Sequence, residues 1–218
     1  VNAVAPSIAA LRRDIHRHPE IACREFRTSA RVREELAGTG IRLLDPFLET
    51  DVVGLLEGTG PGKTVALRAD MDALPLQETD SVEHRSEVPG MMHACGHDGH
   101  TAMLVGAAKV LSGLAGSFAG TVRFVFQPGE EVAAAGRDLV AAGALKDPDP
   151  DACYAIHGWP GYRAGSIIGR PGPAMAAAEF FRITIRGKGA HGARPYDSVD
   201  PVVAGARVVL GLQTIVSR

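Results

Sequence analysis

The chain has 218 residues, 45% of them hydrophobic and 22% charged, with a formal net charge of -2. This length holds one sizeable core, or one domain with part of a second, and the composition is that of a globular protein. So balanced a charge gives no electrostatic reason to expect nucleic acid or anionic membrane as a partner, and no apolar run approaches the roughly 18 residues of a bilayer span.

The opening, VNAVAPSIAALRRD, lacks a basic region followed by an apolar stretch, so no secretory leader is expected, and a start at Val1 is compatible with a trimmed terminus. Residues 6–37 carry helical spacing: Ile8, Leu11 and Ile15 share a face, and a second stretch around Val32 and Leu36 ends at Gly38. DVVGLLEG and KTVALRAD are β-branched apolar runs joined by GTGPG, which predicts two paired strands. GTGPGKT resembles a phosphate loop, but that pattern needs glycine at position 57, which is Glu57. The stretch is read as a tight turn.

Residues 98–114 predict a helix with Met103, Leu104, Ala107, Val110, Leu111 and Leu114 on its buried face. TVRFVFQ reads as a strand, GRDLVAAGAL as a helix closed by glycine, and DACYAIH as a further strand. Strands alternating with helices imply an α/β fold with a partly parallel sheet. After GRPGPAM (169–175) the pattern changes. EFFRITIRG has strand alternation, and DPVVAGARVVLGLQTIVSR is an amphipathic helix begun by Asp200–Pro201. A boundary near Pro173 divides a first domain, 1–172, from a second, 173–218. A single strand–helix unit of that size is small for an independent core, so the second domain reads as incomplete.

In an open α/β sheet, ligands bind beyond the carboxyl ends of the strands. Asp70 and Asp72 emerge after TVALRAD, Glu130 and Glu131 after TVRFVF, and His157 after DACYAI, while Cys95 and His97 precede a helix. Together these are the ligand types of a metal site. Taken singly, each has a plainer reading: a turn or cap for the aspartates, a solvated helix start for the glutamates, a surface histidine, a small buried thiol. Adjacent carboxylates at a buried strand end repel unless a cation neutralises them, which favours the joint reading. Asp98 is a candidate N-cap, placing His100 in the first helical turn and His97 outside it, so His100 is expected to pack or hydrogen-bond rather than ligate. A cysteine nucleophile partnered by histidine is the rival chemistry, and no Gly-x-Ser-x-Gly elbow is present. Three cysteines, Cys23, Cys95 and Cys153, are too scattered for a disulfide framework, and a reduced cytoplasmic protein is expected.

The blocks LRRDIHRHPEIACREFRTS, RADMDALPLQE, MHACGHDGHTAML, VRFVFQPGEE, IHGWP, GKGAHGARPYDSVDP and LQTIVSR together resemble the metallo-amidohydrolases. These include hippurate hydrolase, N-acyl-amino-acid amidohydrolase and the plant auxin-conjugate hydrolases, within the aminoacylase and glutamate-carboxypeptidase superfamily. The resemblance covers essentially the whole chain but only about the first half of a typical member. It implies a three-layer α/β catalytic domain with a mixed, mostly parallel sheet, followed by the first part of a small α+β lid. It implies two divalent ions, zinc, manganese or similar, held by Cys95, His97, Glu131 and His157. Glu130 matches the general base, Asp72 the aspartate that orients a ligand, and His191 a lid histidine that reaches substrate, often across a dimer interface. The implied reaction is hydrolysis of an N-acyl amino acid by a homodimer. The alternatives are an inactive fragment or non-catalytic metal-binding module, and a metallo-carboxypeptidase or dipeptidase of the same superfamily. Where the family usually has alanine this chain has Gly129, which leaves both glutamates in register. A fifth ligand, a histidine of the family's C-terminal half, has no counterpart in this sequence.

Overall fold

The computed structural model describes residues 2–133, 135–176 and 180–215. Their contacts form two units, Val1–Tyr162 and Arg163–Arg218. The first carries a sheet of β1 (Arg42–Leu43), β2 (Val52–Glu57), β3 (Thr64–Asp70), β4 (Thr121–Gln127) and β5 (Ala152–Ala155), in the order β1-β2-β4-β3-β5. Here β3 is parallel to both β4 and β5, whereas β2 is antiparallel to β4 and β1 antiparallel to β2. The α/β class is as the alternation of elements implies.

The hairpin expected from DVVGLLEG and KTVALRAD does not form, because β4 lies between the two strands. Thr121 stands opposite both Glu57 and Thr64, so the turn at 58–63 steps across the start of β4. Gly58 N–H donates to Gly120 O at 2.8 Å and Gly120 N–H to Gly60 O at 2.9 Å, fastening that crossing. The step spans two strand spacings, roughly 10 Å, which six residues cover easily. Burial decides the order. Phe124 and Phe126 of β4 are fully buried, and a strand with both faces covered belongs at the centre.

Helices cover both faces. On one side α1 (Ala5–Arg17), α2 (Phe26–Leu36) and α3 (His97–Ser112) bring Leu11, Ile15, Val32, Leu36 and Val105 against Val52, Phe124 and Phe126. On the other, after the short α4 (Glu130–Ala133), α5 (Ala135–Ala141) sets Leu139 against Val53 and Val125. Alternate residues of one strand thus serve opposite cores, as the period of two requires. Helix α3 starts at His97, and its buried hydrophobic residues are Ala102, Leu104, Val105 and Ala108, whereas Met103 is 46% and Leu114 47% exposed. Apolar residues surround most of this helix, so their spacing alone did not single out its core face.

In the second unit α6 (Pro201–Leu212) starts where Asp200–Pro201 predicts, with Asp200 Oδ1 accepting from Val202 N–H at 2.8 Å and Val203 N–H at 3.4 Å. The helix ends earlier than its pattern implied, and 216–218 lie outside the described residues. EFFRITIRG begins at Glu179, also outside them. Residues 180–187 form no strand; pairing is limited to one antiparallel bridge between Lys188 and Val199, since the described residues of this unit offer no ladder for them to join. Among the described residues, no helix is long and apolar enough to cross a membrane.

Candidate metal centre

Strand register sets the site. Arg68 of β3 stands opposite Val125 and Ala155, and Asp70 opposite Gln127, so β3 and β4 end at one level and β5 two residues short of it, at the same edge. Beyond that edge the chain delivers Asp72 after β3, Glu130 and Glu131 at the start of α4, and His157 two residues past β5. Gly96, at φ 88°, turns the chain into α3 so that Cys95 and His97 face the same edge.

Cys95, His97, Glu130, Glu131 and His157 are brought together here. Cys95 Sγ lies 3.4 Å from His157 Nε2. His97 Nε2 lies 3.8 Å from Glu131 Oε1 and 3.7 Å from Asp70 Oδ2. Donor atoms of Cys95, His97 and His157 fall within 4.8 Å of one another, as do those of His97, Glu130 and Glu131. His97 is fully buried, Glu131 partly buried, and Glu130 and His157 exposed.

The outer hydrogen bonds fix which imidazole nitrogen carries a proton. His97 Nδ1 donates to Asp72 Oδ1 at 3.2 Å, leaving the Nε2 lone pair free. Asp72 Oδ2 accepts from Glu131 N–H at 2.9 Å, so one carboxylate orients both a histidine and the glutamate turn. His157 Nδ1 donates to Gly158 O at 2.7 Å, again leaving Nε2 to face Cys95. His100 differs. Its Nδ1 donates to Asp70 Oδ1 at 2.6 Å and its Nε2 accepts from Gly158 N–H at 2.7 Å, so both nitrogens are occupied and it hydrogen-bonds, as the sequence reading expected. Arg68 Nη1 donates to the other oxygen of Asp70 at 2.7 Å.

Asp98 is not the N-cap. Gly96 holds that position, and the buried Asp98 carboxylate turns away to accept from Arg12 Nε at 3.0 Å and to meet His16 Nδ1 at 3.0 Å. Cationic partners outcompete the helix's own amides for a buried carboxylate.

Electrostatics mark the centre as anionic. Burial first, then the Glu131 carboxylate, pushes the Cys95 thiol up to about 12. Burial works against ionisation of Asp70, yet the His100 hydrogen bond and the Arg68 charge hold it at about 2. For His97, burial is outweighed by Asp72 and the neighbouring carboxylates, and its pKa rises. A divalent cation would relieve both effects by stabilising thiolate and neutral imidazole together. His97 Nε2 and Glu131 Oε1 are buried without any hydrogen-bond partner, a cost of about 1–3 kcal/mol apiece. Two orphaned donors flanked by a thiol and a second histidine fit divalent ions, and the mixed sulfur, nitrogen and oxygen set suits zinc or its neighbours.

His191 lies on an exposed loop of the second unit, its Nδ1 accepting from Ala193 N–H at 3.1 Å. The Arg68–Asp70–His100–Gly158 chain escaped sequence reading, because nothing in the spacing of RADMD and HDGH predicts a bond to the backbone after His157. That chain carries a testable load. His100→Ala frees the Gly158 peptide, and divalent-ion affinity, measured by titration, is expected to fall about 10–100-fold.

Comparison with known proteins places the chain in a family. Residues 66–206 match Peptidase family M20/M25/M40. The chain is 43% identical over 209 residues to N-acetylcysteine deacetylase of Bacillus subtilis (strain 168), covering 95% of this chain and 54% of that protein. To the N-acyl-L-amino acid amidohydrolase of Geobacillus stearothermophilus it is 45% identical over 219 residues, covering 100% of this chain and 59% of that protein. A solved Bacillus subtilis structure described as a dinuclear metal-binding peptidase of the M20 family is similar with TM-score 0.70 at 41% identity, over 73% of this chain and 44% of that one. The chain thus spans somewhat over half the length of these curated relatives. By this match across most of its length, the chain belongs to Peptidase family M20/M25/M40.

Proposed function

We propose that the chain is the metal-binding, hydrolytic part of an amidohydrolase that cleaves the amide bond of N-acyl amino acids. The observation that carries this reading is the pair of buried, unpartnered donors, His97 Nε2 and Glu131 Oε1, 3.8 Å apart beside Cys95 and His157. In this reading Cys95, His97, Glu131 and His157 hold two divalent ions, zinc, manganese or similar. The chemistry such ions supply is Lewis acidity, which polarises the amide carbonyl and brings the pKa of water toward about 7. Glu130, exposed at the mouth of the cluster, accepts the water proton and returns it to the leaving amine. Asp72 keeps His97 in the tautomer that offers Nε2 outward. His191, with Nδ1 accepting from Ala193, keeps its proton on Nε2 and can donate to developing negative charge.

The second unit is the lid portion in this reading, with residues 163–172 leading into it. Exposed Val202, Val209 and Leu210 on α6 support a homodimer formed there. The named activities of the two amidohydrolase relatives support an N-acyl amino acid as substrate. The test combines two measurements on the purified chain: divalent-ion content after desalting, and amino acid released from N-acetyl and N-benzoyl amino acids. Two ions per chain are expected, with hydrolysis abolished by a chelator and restored by zinc or manganese. A chain that retains no divalent ion, or hydrolysis that survives chelation, overturns the reading.

A further inference from the structure

We infer that Glu25 is a positioning residue for the Glu130–Glu131 turn, acting through the backbone of Gly129; the inference rests on the roles proposed for those two glutamates. Glu25 occupies the N-cap position of α2, where a carboxylate ordinarily accepts from its own helix, yet it makes no such bond. Glu20 does that work from outside, accepting from Arg27 N–H at 2.9 Å and Thr28 N–H at 2.8 Å. The Glu25 side chain is thereby released inward and is fully buried.

There its carboxylate ties its own loop, at Cys23, to two segments remote in sequence. Oε1 accepts from Cys23 N–H at 2.8 Å and Gly129 N–H at 3.0 Å, and Oε2 accepts from Thr50 Oγ1 at 2.7 Å. Among the described residues, no cation pairs with it. A buried carboxyl without a counter-ion is costly and is kept where its geometry matters. What it holds is the Pro128–Gly129 peptide, one link ahead of the peptide that bears the Glu130 N–H. On the far side, Asp72 Oδ2 holds the peptide nitrogen of Glu131. Two carboxylates therefore clasp the turn at either side of Glu130, one from the α2 layer and one from the end of β3. The turn itself enters at φ 59° for Gly129, with an ideal Cβ there only 2.7 Å from Cys23 Sγ, so little slack remains. With Glu25 gone, the Gly129 N–H loses its acceptor and the peptide is free to rotate. Both glutamate side chains then swing relative to His97.

The role is geometric, which makes the conservative variant informative. Glu25→Gln keeps a carbonyl oxygen for both N–H groups and offers its amide to the Thr50 hydroxyl. Glu25→Leu offers nothing, and Glu25→Asp is one methylene too short to reach Gly129 while holding Cys23. The experiment titrates the chain with Co2+ alone, following thiolate-to-cobalt absorption, and measures urea unfolding of the metal-free variants alongside. Glu25→Leu and Glu25→Asp are expected to weaken Co2+ binding about 10-fold or more, with Glu25→Gln within about 3-fold of wild type. Thr50→Val, which removes only the bond to Oε2, is expected to lose stability without losing Co2+ affinity. If Glu25→Leu does not fold, Glu25→Asp against Glu25→Gln decides. Wild-type affinity in a folded Glu25→Leu or Glu25→Asp variant overturns the inference, as does a Glu25→Gln variant as weak as Glu25→Asp. Failure of the wild-type chain itself to bind Co2+ instead counts against the proposed metal centre.

Discussion

Glu130→Gln is expected to lower amide hydrolysis by about 10²–10⁴-fold, the usual contribution of a general base, while divalent-ion content stays at the wild-type level. The two adjacent glutamates occupy different environments. Glu130 is exposed, whereas Glu131 is partly buried with Oε1 unpartnered and its peptide nitrogen tied to Asp72. A glutamine at 130 matches the shape of the carboxylate but cannot take up a proton from water. At position 131 the same exchange removes a charged donor from the side of His97, and there the expected loss is of bound ion, with activity following. Metal content by emission spectroscopy, read beside turnover for both variants, separates the roles. Should Glu130→Gln lose its ions and Glu131→Gln keep them, the assignments exchange.

His16→Leu is expected to destabilise the first unit by about 3 kcal/mol near pH 6, at the lower end for breaking a buried ion pair. His16 is sandwiched between two carboxylates, Nδ1 3.0 Å from Asp98 Oδ2 and Nε2 3.2 Å from Glu78 Oε1. Arg12 also reaches Asp98, which tempers the loss, and the His84 and His93 rings stand 5.3 Å and 6.3 Å from the His16 ring. The Asp98 hydrogen bond, partly opposed by burial and reinforced by Glu78, raises the His16 pKa. Burial opposes ionisation of Asp98, but His16 and the nearby cations hold it at about 2. The signs follow from linkage. The histidine's contribution is complete below its unfolded pKa of about 6.5 and fades as pH rises through the raised folded value. The aspartate's contribution is complete above about 3.9 and fades as pH falls toward its folded value. The link is therefore strongest between roughly pH 4 and pH 6.5. Urea unfolding of wild type and His16→Leu at pH 6 and pH 9 should show a smaller difference at the higher pH. An equal difference at both would mean a neutral imidazole in the folded protein.

Much of the centre was legible in the sequence because each donor sits next to a strong local signal. Asp72 and Glu130 follow strands that carry β-branched residues, His157 follows the short run DACYAI, and the rule that ligands gather at carboxyl ends did the rest. Cys95 was legible from its place before an apolar helix; His97, expected outside that helix, is instead its first residue, because Gly96 takes the cap position. The hydrogen bonds that hold these residues were not legible. Glu25 precedes a helix and so looks like a cap; only tertiary structure reveals that Glu20 has taken that task. Asp98 failed in the opposite direction, its capping signal overridden by Arg12 and His16 from another helix. The order of strands was equally hidden. A Gly- and Pro-rich turn between two apolar runs predicts neighbours, and nothing local to 52–70 announces that residues 121–127 will come between them.

That interleaving has a consequence for synthesis. As the chain leaves the ribosome, β2 and β3 emerge well before the segment that joins them, because Val52 pairs with Phe126 and Thr64 with Thr121. A nascent polypeptide ending short of Thr121 therefore presents two apolar strands around a vacant slot, open to any foreign edge. Closing it waits on contacts far apart along the chain, so assembly of this sheet is slow and late compared with its helices. Growth conditions that lengthen this interval, such as strong overexpression at high temperature, should drive the protein into aggregates before the carboxyl edge of its sheet exists.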